Sequence, residues 1–136
     1  NLMLPKMLTL LPAFLSYFAV AVALIAVFLL VYVNVTPYDE MALIRQGNTA
    51  AAVSLSGALI GFAMPVANVI AHSDTLVDLA AWGAIAGVIQ ILTYLVARFA
   101  LPHMTEDIPA GKVAPATFLA GLSLTVGLTN AACMTY

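Results

Sequence analysis

Four segments of this chain are each long and apolar enough to cross a membrane. They cover residues 10–33, 49–71, 79–101 and 114–136. A hydrocarbon core of roughly 30 Å requires about 20 helical residues at a rise of about 1.5 Å each, and every segment meets that requirement. Because the core of a bilayer offers no water to backbone polar groups, such segments must be helices. We therefore predict an all-α integral membrane protein with four transmembrane helices.

Composition supports the lipid bilayer as the environment of this chain. Hydrophobic residues make up 64% of it, charged residues 7%, and the mean hydropathy is +1.09. A soluble domain needs a charged surface, and four basic and six acidic residues cannot provide one. The net charge of −2 comes without a basic cluster, which excludes nucleic acid as a partner. A single cysteine excludes an internal disulfide framework.

An internal repeat indicates how the four spans are organised. Residues 47–57 read GNTAAAVSLSG and residues 111–121 read GKVAPATFLAG, and each segment opens a long apolar stretch. A span, a short connection and a returning span therefore occur twice. We predict a duplicated two-helix hairpin, with a first repeat over residues 1–71 and a second over residues 72–136.

Short helices are predicted after the first and the third span. Thr36 to Asp39 forms a capping box with Pro37 at the first helical position, and Gly47 supplies the C-terminal stop. A weaker arrangement after the third span runs from Pro102 to Gly111. Both short helices are expected to lie along the membrane surface.

The basic residues predict the orientation. Arg45, Arg98 and Lys112 flank the loops after the first and third spans, whereas Lys6 lies on the other side. Because positive residues accumulate on the cytoplasmic side, both loops are predicted in the cytoplasm. The N and C termini are then on the outer, periplasmic side.

Small residues predict how the helices pack. In lipid, helices associate where small side chains allow their backbones to approach closely. The second, third and fourth spans each carry such a seam, and we expect the seams to face one another. The predicted packing glycines are Gly57, Gly61, Gly83, Gly87, Gly121 and Gly127.

Three amide side chains lie within the predicted spans: Asn68, Gln90 and Asn130. They can form interhelical hydrogen bonds that contribute about 0.6 to 2 kcal/mol each, or they can line a hydrated path. The first interpretation is favoured, because conducting paths usually add intramembrane acids or bases. Pro65 is predicted to kink the second span and to leave a carbonyl near Asn68 without its usual partner.

The chain offers few residues for catalysis. His72 and His103 are predicted on opposite sides of the membrane and cannot share a metal, and Cys133 has no predicted histidine neighbour. The acidic pairs that begin at Asp39 and Glu106 are explained by the dipoles of the short helices. No catalytic, cofactor-binding or metal-binding residue is therefore predicted.

Three stretches resemble the YjfL-type bacterial inner-membrane proteins: NTAAAVSLSGALIGFAMP, WGAIAGVIQ and GLTNAACMTY. The resemblance covers nearly the whole chain. It implies a small four-span protein of the bacterial inner membrane, built from a two-helix unit of unknown function that commonly occurs in tandem. Members are often encoded near membrane-remodelling and ATP-grasp-like proteins, which suggests a link to envelope homeostasis by association. The motif positions that the resemblance marks as structurally important are Asn48, Gly57, Gly61, Pro65, Gln90, Asn130 and Cys133.

Two functions are consistent with these features. The first is a non-enzymatic membrane component that forms a homo-oligomer through its glycine seams and acts as a scaffold for cytoplasmic proteins at the two surface helices. The alternative is an oligomeric channel or small transporter for ions or small solutes. Because four helices pack too tightly to enclose a wide lumen, a channel would require a ring of several protomers.

Overall fold

The computed structural model describes residues 3–73 and 75–134 and contains six helices and no strand in those ranges. The helices are α1 (Met3–Val35), α2 (Glu40–Arg45), α3 (Thr49–His72), α4 (Leu76–Ala100), α5 (Met104–Asp107) and α6 (Val113–Cys133). The four long helices are all apolar and long enough to span a membrane. The prediction of an all-α protein with four membrane-spanning helices is confirmed.

The first helix is longer than the sequence predicts. It begins at Met3 rather than near residue 10 and contains 33 residues, with Pro12 inside it. At about 1.5 Å per residue it is about 50 Å long, which exceeds a hydrocarbon core of about 30 Å. The predicted end of the last span at Tyr136 lies outside the described residues.

Helix starts follow from capping side chains. Asn48 accepts a hydrogen bond from the Ala51 N–H at the start of α3, and Thr75 accepts one from the Asp78 N–H at the start of α4. Both side chains satisfy backbone donors that have no partner within the helix. Asn48 also donates to the carbonyls of Ile108 and Pro109 at 3.1 and 3.2 Å. The loops that contain α2 and α5 therefore meet at one end of the bundle.

The start of α2 corrects the predicted capping box. The N-cap is Asp39, whose carboxylate accepts a hydrogen bond from the Ala42 N–H at 3.2 Å. The helix begins at Glu40, so Pro37 precedes it instead of opening it. The Thr36 hydroxyl, predicted to cap the helix, bonds to the Glu40 side chain instead. Asp39 is adjacent to the first turn and reaches its free N–H groups directly, which makes it the better cap.

The two short helices end with the same backbone geometry. Gly47 and Gly111 have φ angles of 86° and 88°, in the left-handed region that favours glycine. The Asn48 N–H donates to the Leu43 carbonyl at 2.9 Å, and the Lys112 N–H donates to the Asp107 carbonyl at 3.0 Å. Each loop thus closes with a Schellman motif.

The core forms mainly where α3 packs against α6. Cβ atoms added at three of the glycines would collide there with the opposite helix. One on Gly57 would lie 2.5 Å from the Ala120 Cβ, and one on Gly127 would lie 2.6 Å from the Gly61 Cα. Such contacts bring two backbones together, as small residues do in membrane helix pairs. By contrast, the buried residues of α1 are Ala21, Phe28 and Tyr32, so this helix lies at the periphery.

Candidate functional site

A cluster of buried polar side chains lies where α1, α2 and α4 meet. Its members are Tyr32, Thr36, Glu40 and Tyr94, called the Glu40 cluster below. The Glu40 side chain is 1% exposed although it can carry a charge, and the two tyrosines are 1% and 0% exposed. A carboxyl group so deeply buried is uncommon, because removing a charge from water is costly.

Proline in the connection after α1 shapes this cluster. Pro37 has no N–H, so the Val33 carbonyl loses its usual α-helical donor. The Tyr38 carbonyl precedes the N-cap Asp39, so it accepts no N–H from within α2. Both carbonyls turn toward the Thr36 hydroxyl oxygen, at 3.2 Å for Val33 and 3.3 Å for Tyr38.

The same hydroxyl also contacts the carboxylate. Thr36 Oγ1 lies 2.5 Å from Glu40 Oε1, a separation typical of a hydrogen bond to a charged acceptor. A threonine hydroxyl has a single hydrogen to donate. Three acceptor oxygens therefore surround one donor.

Two tyrosine hydroxyls complete the cluster. The rings of Tyr32 and Tyr94 meet edge to face with centroids 5.6 Å apart. Both hydroxyl groups are buried and have no hydrogen-bond partner in the described ranges, and both lie within electrostatic range of Glu40. Buried hydroxyls are usually paired, so two unpaired ones beside a carboxyl group mark a site capable of binding a small polar ligand.

Burial dominates the electrostatics of the site. It raises the pKa of the Glu40 carboxyl, hydrogen bonds from Thr36 and from the backbone N–H of Glu40 itself oppose that shift, and the negative charge of Asp39 adds to it. Burial likewise raises the pKa of the Tyr38 phenol, Tyr94 and Glu40 add to that shift, and the positive charge of Arg98 opposes it. Arg98 is exposed and forms no salt bridge with Glu40 in the described part of the chain. Within the described residues, the Glu40 carboxyl therefore has no cationic side chain as an ion-pair partner.

The amides predicted inside the membrane occupy different surroundings. Gln90 is buried and donates to the Ser123 carbonyl at 3.1 Å, while its Oε1 has no partner among the described residues. Asn68 donates to the carbonyls of Ala131 and Met134 at 2.9 and 3.1 Å, so it links α3 to the end of α6. The buried Nδ2 of Asn130 has no partner within the described residues.

Pro65 lies within α3, which continues through it from Thr49 to His72. The carbonyl that a proline deprives of its donor lies four residues earlier, which is Gly61 here and not a group beside Asn68. A Cβ on Gly127 would collide with that Gly61 carbonyl oxygen. The freed carbonyl is thus placed against the backbone of α6, which corrects the predicted position near Asn68.

The remaining predicted glycines have different neighbours. A Cβ on Gly83 would meet the Leu24 side chain at 2.7 Å, and one on Gly87 would meet Phe62 at 3.5 Å. These two glycines therefore face side chains, whereas Gly57, Gly61 and Gly127 face backbone. Gly121 is exposed, and no described atom outside its own helix lies within 4 Å of a Cβ added there.

His, Cys, Asp and Glu side chains do not gather into a multi-ligand metal site in the described part of the chain. Among residues 3–73 and 75–134, no three His, Cys, Asp or Glu side chains form a group that could bind a metal ion. Cys133 is exposed and forms no disulfide. His103 lies 3.9 Å from Glu106 at the exposed start of α5.

Sequence reasoning missed the Glu40 cluster. It explained Glu40 by the dipole of a short helix, which assumes a solvated side chain. The signal was nevertheless present, because a tyrosine and a threonine precede Glu40 by eight and four residues and Pro37 frees a carbonyl between them. Tyr94 gave no such signal, since only packing brings α4 beside α1.

Comparisons with known proteins agree on one family. The family described as Domain of Unknown Function (DUF350) matches residues 6–134. The UPF0719 inner membrane protein YjfL of Escherichia coli strain K12 is 38% identical over 124 residues, 91% of this chain and 94% of the relative. The UPF0719 transmembrane protein YshE of Bacillus subtilis strain 168 is 29% identical over 92 residues, 68% of this chain and 69% of the relative. No solved structure matches the chain.

Proposed function

The chain belongs to the DUF350 family of inner-membrane proteins, as its resemblance to YjfL-type proteins predicts, and we propose that it is a non-enzymatic component that self-associates in the bacterial inner membrane. Its multi-pass location in that membrane follows from its relatives and its four apolar helices. The family description gives no activity. The proposal therefore depends on which surfaces the fold leaves without a partner.

The outer face of α6 carries the observation that supports self-association. Thr117, Gly121, Thr125 and Thr129 recur every four residues and are all exposed. Each threonine hydroxyl donates to the carbonyl four residues earlier, at 2.8 or 2.9 Å, so the polar groups are satisfied within the helix. What remains is a smooth strip of small side chains, the kind of surface through which membrane helices approach closely. The partner we propose for it is the same strip on a second copy.

This surface differs from the one predicted for self-association. Gly57, Gly61 and Gly127 already contact the backbone of the opposite helix in the same chain, and Gly83 faces Leu24. A bulky residue at these positions would disturb the bundle itself. Gly121 is the predicted packing glycine that remains available to another copy.

Self-association can be tested by enlarging Gly121. We expect wild-type protein in lipid nanodiscs or mild detergent to be a dimer or larger, and Gly121→Leu to shift it to the monomer by blocking close approach. The matched control is Ala81→Leu, which adds the same bulk to an exposed position of α4. Light scattering measures the mass of the assembly that each variant forms. A monomeric wild type, or an unchanged mass in Gly121→Leu, would reject this surface.

We further propose that the chain is a duplicated hairpin with both loops in the cytoplasm. The matching Schellman motifs at Gly47 and Gly111 support the duplication, and the positive residues near them support the orientation. Scaffold partners would then bind at α2 and α5, which we propose to be interfacial. In a Cys133→Ser background, labelling of Glu106→Cys by a membrane-impermeant reagent in intact cells would contradict that orientation.

Transport remains the alternative predicted from the sequence. It relied on Gln90 lining a hydrated path, whereas Gln90 is buried and bonded to the Ser123 carbonyl. That contact supports a structural role for Gln90. A solute flux in proteoliposomes that Gln90→Leu abolishes would favour transport over the scaffold.

A further inference from the structure

The Thr36 hydroxyl has more hydrogen-bond acceptors around it than it has hydrogens to donate. The carbonyls of Val33 and Tyr38 and the carboxylate of Glu40 all lie within 3.3 Å of the Thr36 hydroxyl oxygen. The single hydroxyl hydrogen satisfies one of these acceptors at a time. The Glu40 carboxylate also accepts a hydrogen bond from its own backbone N–H. The carbonyls that the hydroxyl does not satisfy are open to a cation or to another donor.

The charge of the site is also unbalanced. When Glu40 is ionised, its carboxylate is the buried negative charge of the cluster, and no salt bridge to it occurs in the part of the chain that is described. The titratable or charged groups around it are Tyr32 from α1, Tyr38 and Asp39 from the connection, and Tyr94 and Arg98 from α4. Arg98 and Asp39 are exposed, and Asp39 is occupied in capping α2. A mobile cation would balance the charge.

We propose that the Glu40 cluster binds one small monovalent cation, for which Na⁺ is the probe. Carboxylate, hydroxyl and backbone carbonyl oxygens are the ligands that hard cations prefer. The single carboxylate matches one positive charge, whereas divalent sites usually draw on several carboxylates. Carbonyls released where a membrane helix unwinds are also used to coordinate Na⁺. The buried, unpaired hydroxyls of Tyr32 in α1 and Tyr94 in α4 lie within electrostatic range of Glu40 and offer further oxygen atoms.

Protons compete with the cation for this site. Because burial raises the pKa of Glu40, the carboxyl is protonated at higher pH than an exposed glutamate and then loses its charge. Without the cation, the contribution of Glu40 to stability is greatest at low pH and is lost as the pH rises through the pKa of folded Glu40. With the cation present, that loss is offset, since a ligand that binds only the folded state stabilises it.

The experiment compares thermal unfolding in NaCl and in choline chloride of equal ionic strength, using the full chain in nanodiscs and the fluorescence of Trp82. At pH 8.5 we expect the Tm of the wild type to be higher in NaCl by about 3 °C or more, and the difference to disappear near pH 5. Glu40→Gln is expected to show no difference between the salts at either pH. Should that variant fail to fold, Thr36→Val and Tyr94→Phe provide the same comparison with a smaller expected loss.

Glu106→Gln is the matched control, because Glu106 is an exposed acid in the other loop and should leave the Na⁺ effect unchanged. Equal Tm values for the wild type in both salts at pH 8.5 would overturn the proposal. So would a Na⁺ effect that persists in Glu40→Gln. A pH dependence that Glu40→Gln removes, without any difference between the salts, would also overturn it, because the proton would then be the only ligand. None of these outcomes depends on whether the protein self-associates.

Discussion

The loops that contain α2 and α5 end alike and begin differently. Both close with a glycine at positive φ and the same pair of backbone hydrogen bonds. The first helical residue of each is fully buried, yet it is Glu40 in α2 and Met104 in α5, which are 1% and 0% exposed. Methionine fills such a position without a desolvation cost, whereas a carboxyl group does not. The loop geometry therefore does not require an acid, and the acid in the first loop calls for a separate explanation.

Placing a carboxyl group at Met104 in the second loop should produce the largest change in the free energy of unfolding. We expect Met104→Glu to lower the free energy of unfolding by about 3–5 kcal/mol near pH 8, because nothing like the Glu40 cluster is provided there. Part of that loss should return near pH 5, where the acid is protonated. SDS titration in mixed micelles measures the free energy of unfolding at both pH values.

The control for that change is Met104→Leu, which conserves volume and should cost less than about 1.5 kcal/mol. If Met104→Glu were as stable as the wild type at pH 8, burial of an acid at this position would be inexpensive. Glu40 would then need no special explanation, and the contrast between the loops would lose its meaning.

Substitution of either loop glycine, Gly47 or Gly111, is expected to cause a smaller loss of stability, equal at the two positions. A Cβ added at Gly47 or Gly111 meets no described atom within 4 Å, so the cost of alanine there comes from the positive φ alone. We expect Gly47→Ala and Gly111→Ala each to lower the free energy of unfolding by about 1–2 kcal/mol. The same titration measures both. Clearly unequal losses would show that the two loop ends are not energetically equivalent.

The sequence predicted those parts of the fold that depend on local patterns. Hydropathy located the four spans, and Asn48 caps α3 from a position next to its first turn, where an N-cap acts locally. The helix that contains the first predicted span extends beyond it to Met3, because Lys6 interrupts the apolar run without ending the helix.

The polar cluster was less accessible because it depends on tertiary contacts. Glu40 could be placed at a helix start from the sequence, but its burial depends on α1 and α4 closing over it. The Thr36 capping box failed for a local reason, because Asp39 caps α2 and the Thr36 hydroxyl bonds to the Glu40 side chain. Likewise, the seams of small residues identified Gly61 and Gly83 equally, and only packing showed that one faces backbone and the other a leucine side chain.

Replacing the acid by the residue of the other loop tests the central claim most directly. That claim is that Glu40 is retained for binding and not for stability. The measurement is the free energy of unfolding of Glu40→Met and of the wild type in choline chloride between pH 5 and pH 8.5. Because the pKa of Glu40 is raised, the free energy of unfolding of the wild type should fall as the pH rises. Glu40→Met lacks the carboxyl group and should show no such fall. The variant should therefore become more stable relative to the wild type with increasing pH. If Glu40→Met were instead less stable than the wild type, and increasingly so at high pH, the ionised carboxylate would be stabilising the fold, which would contradict the claim.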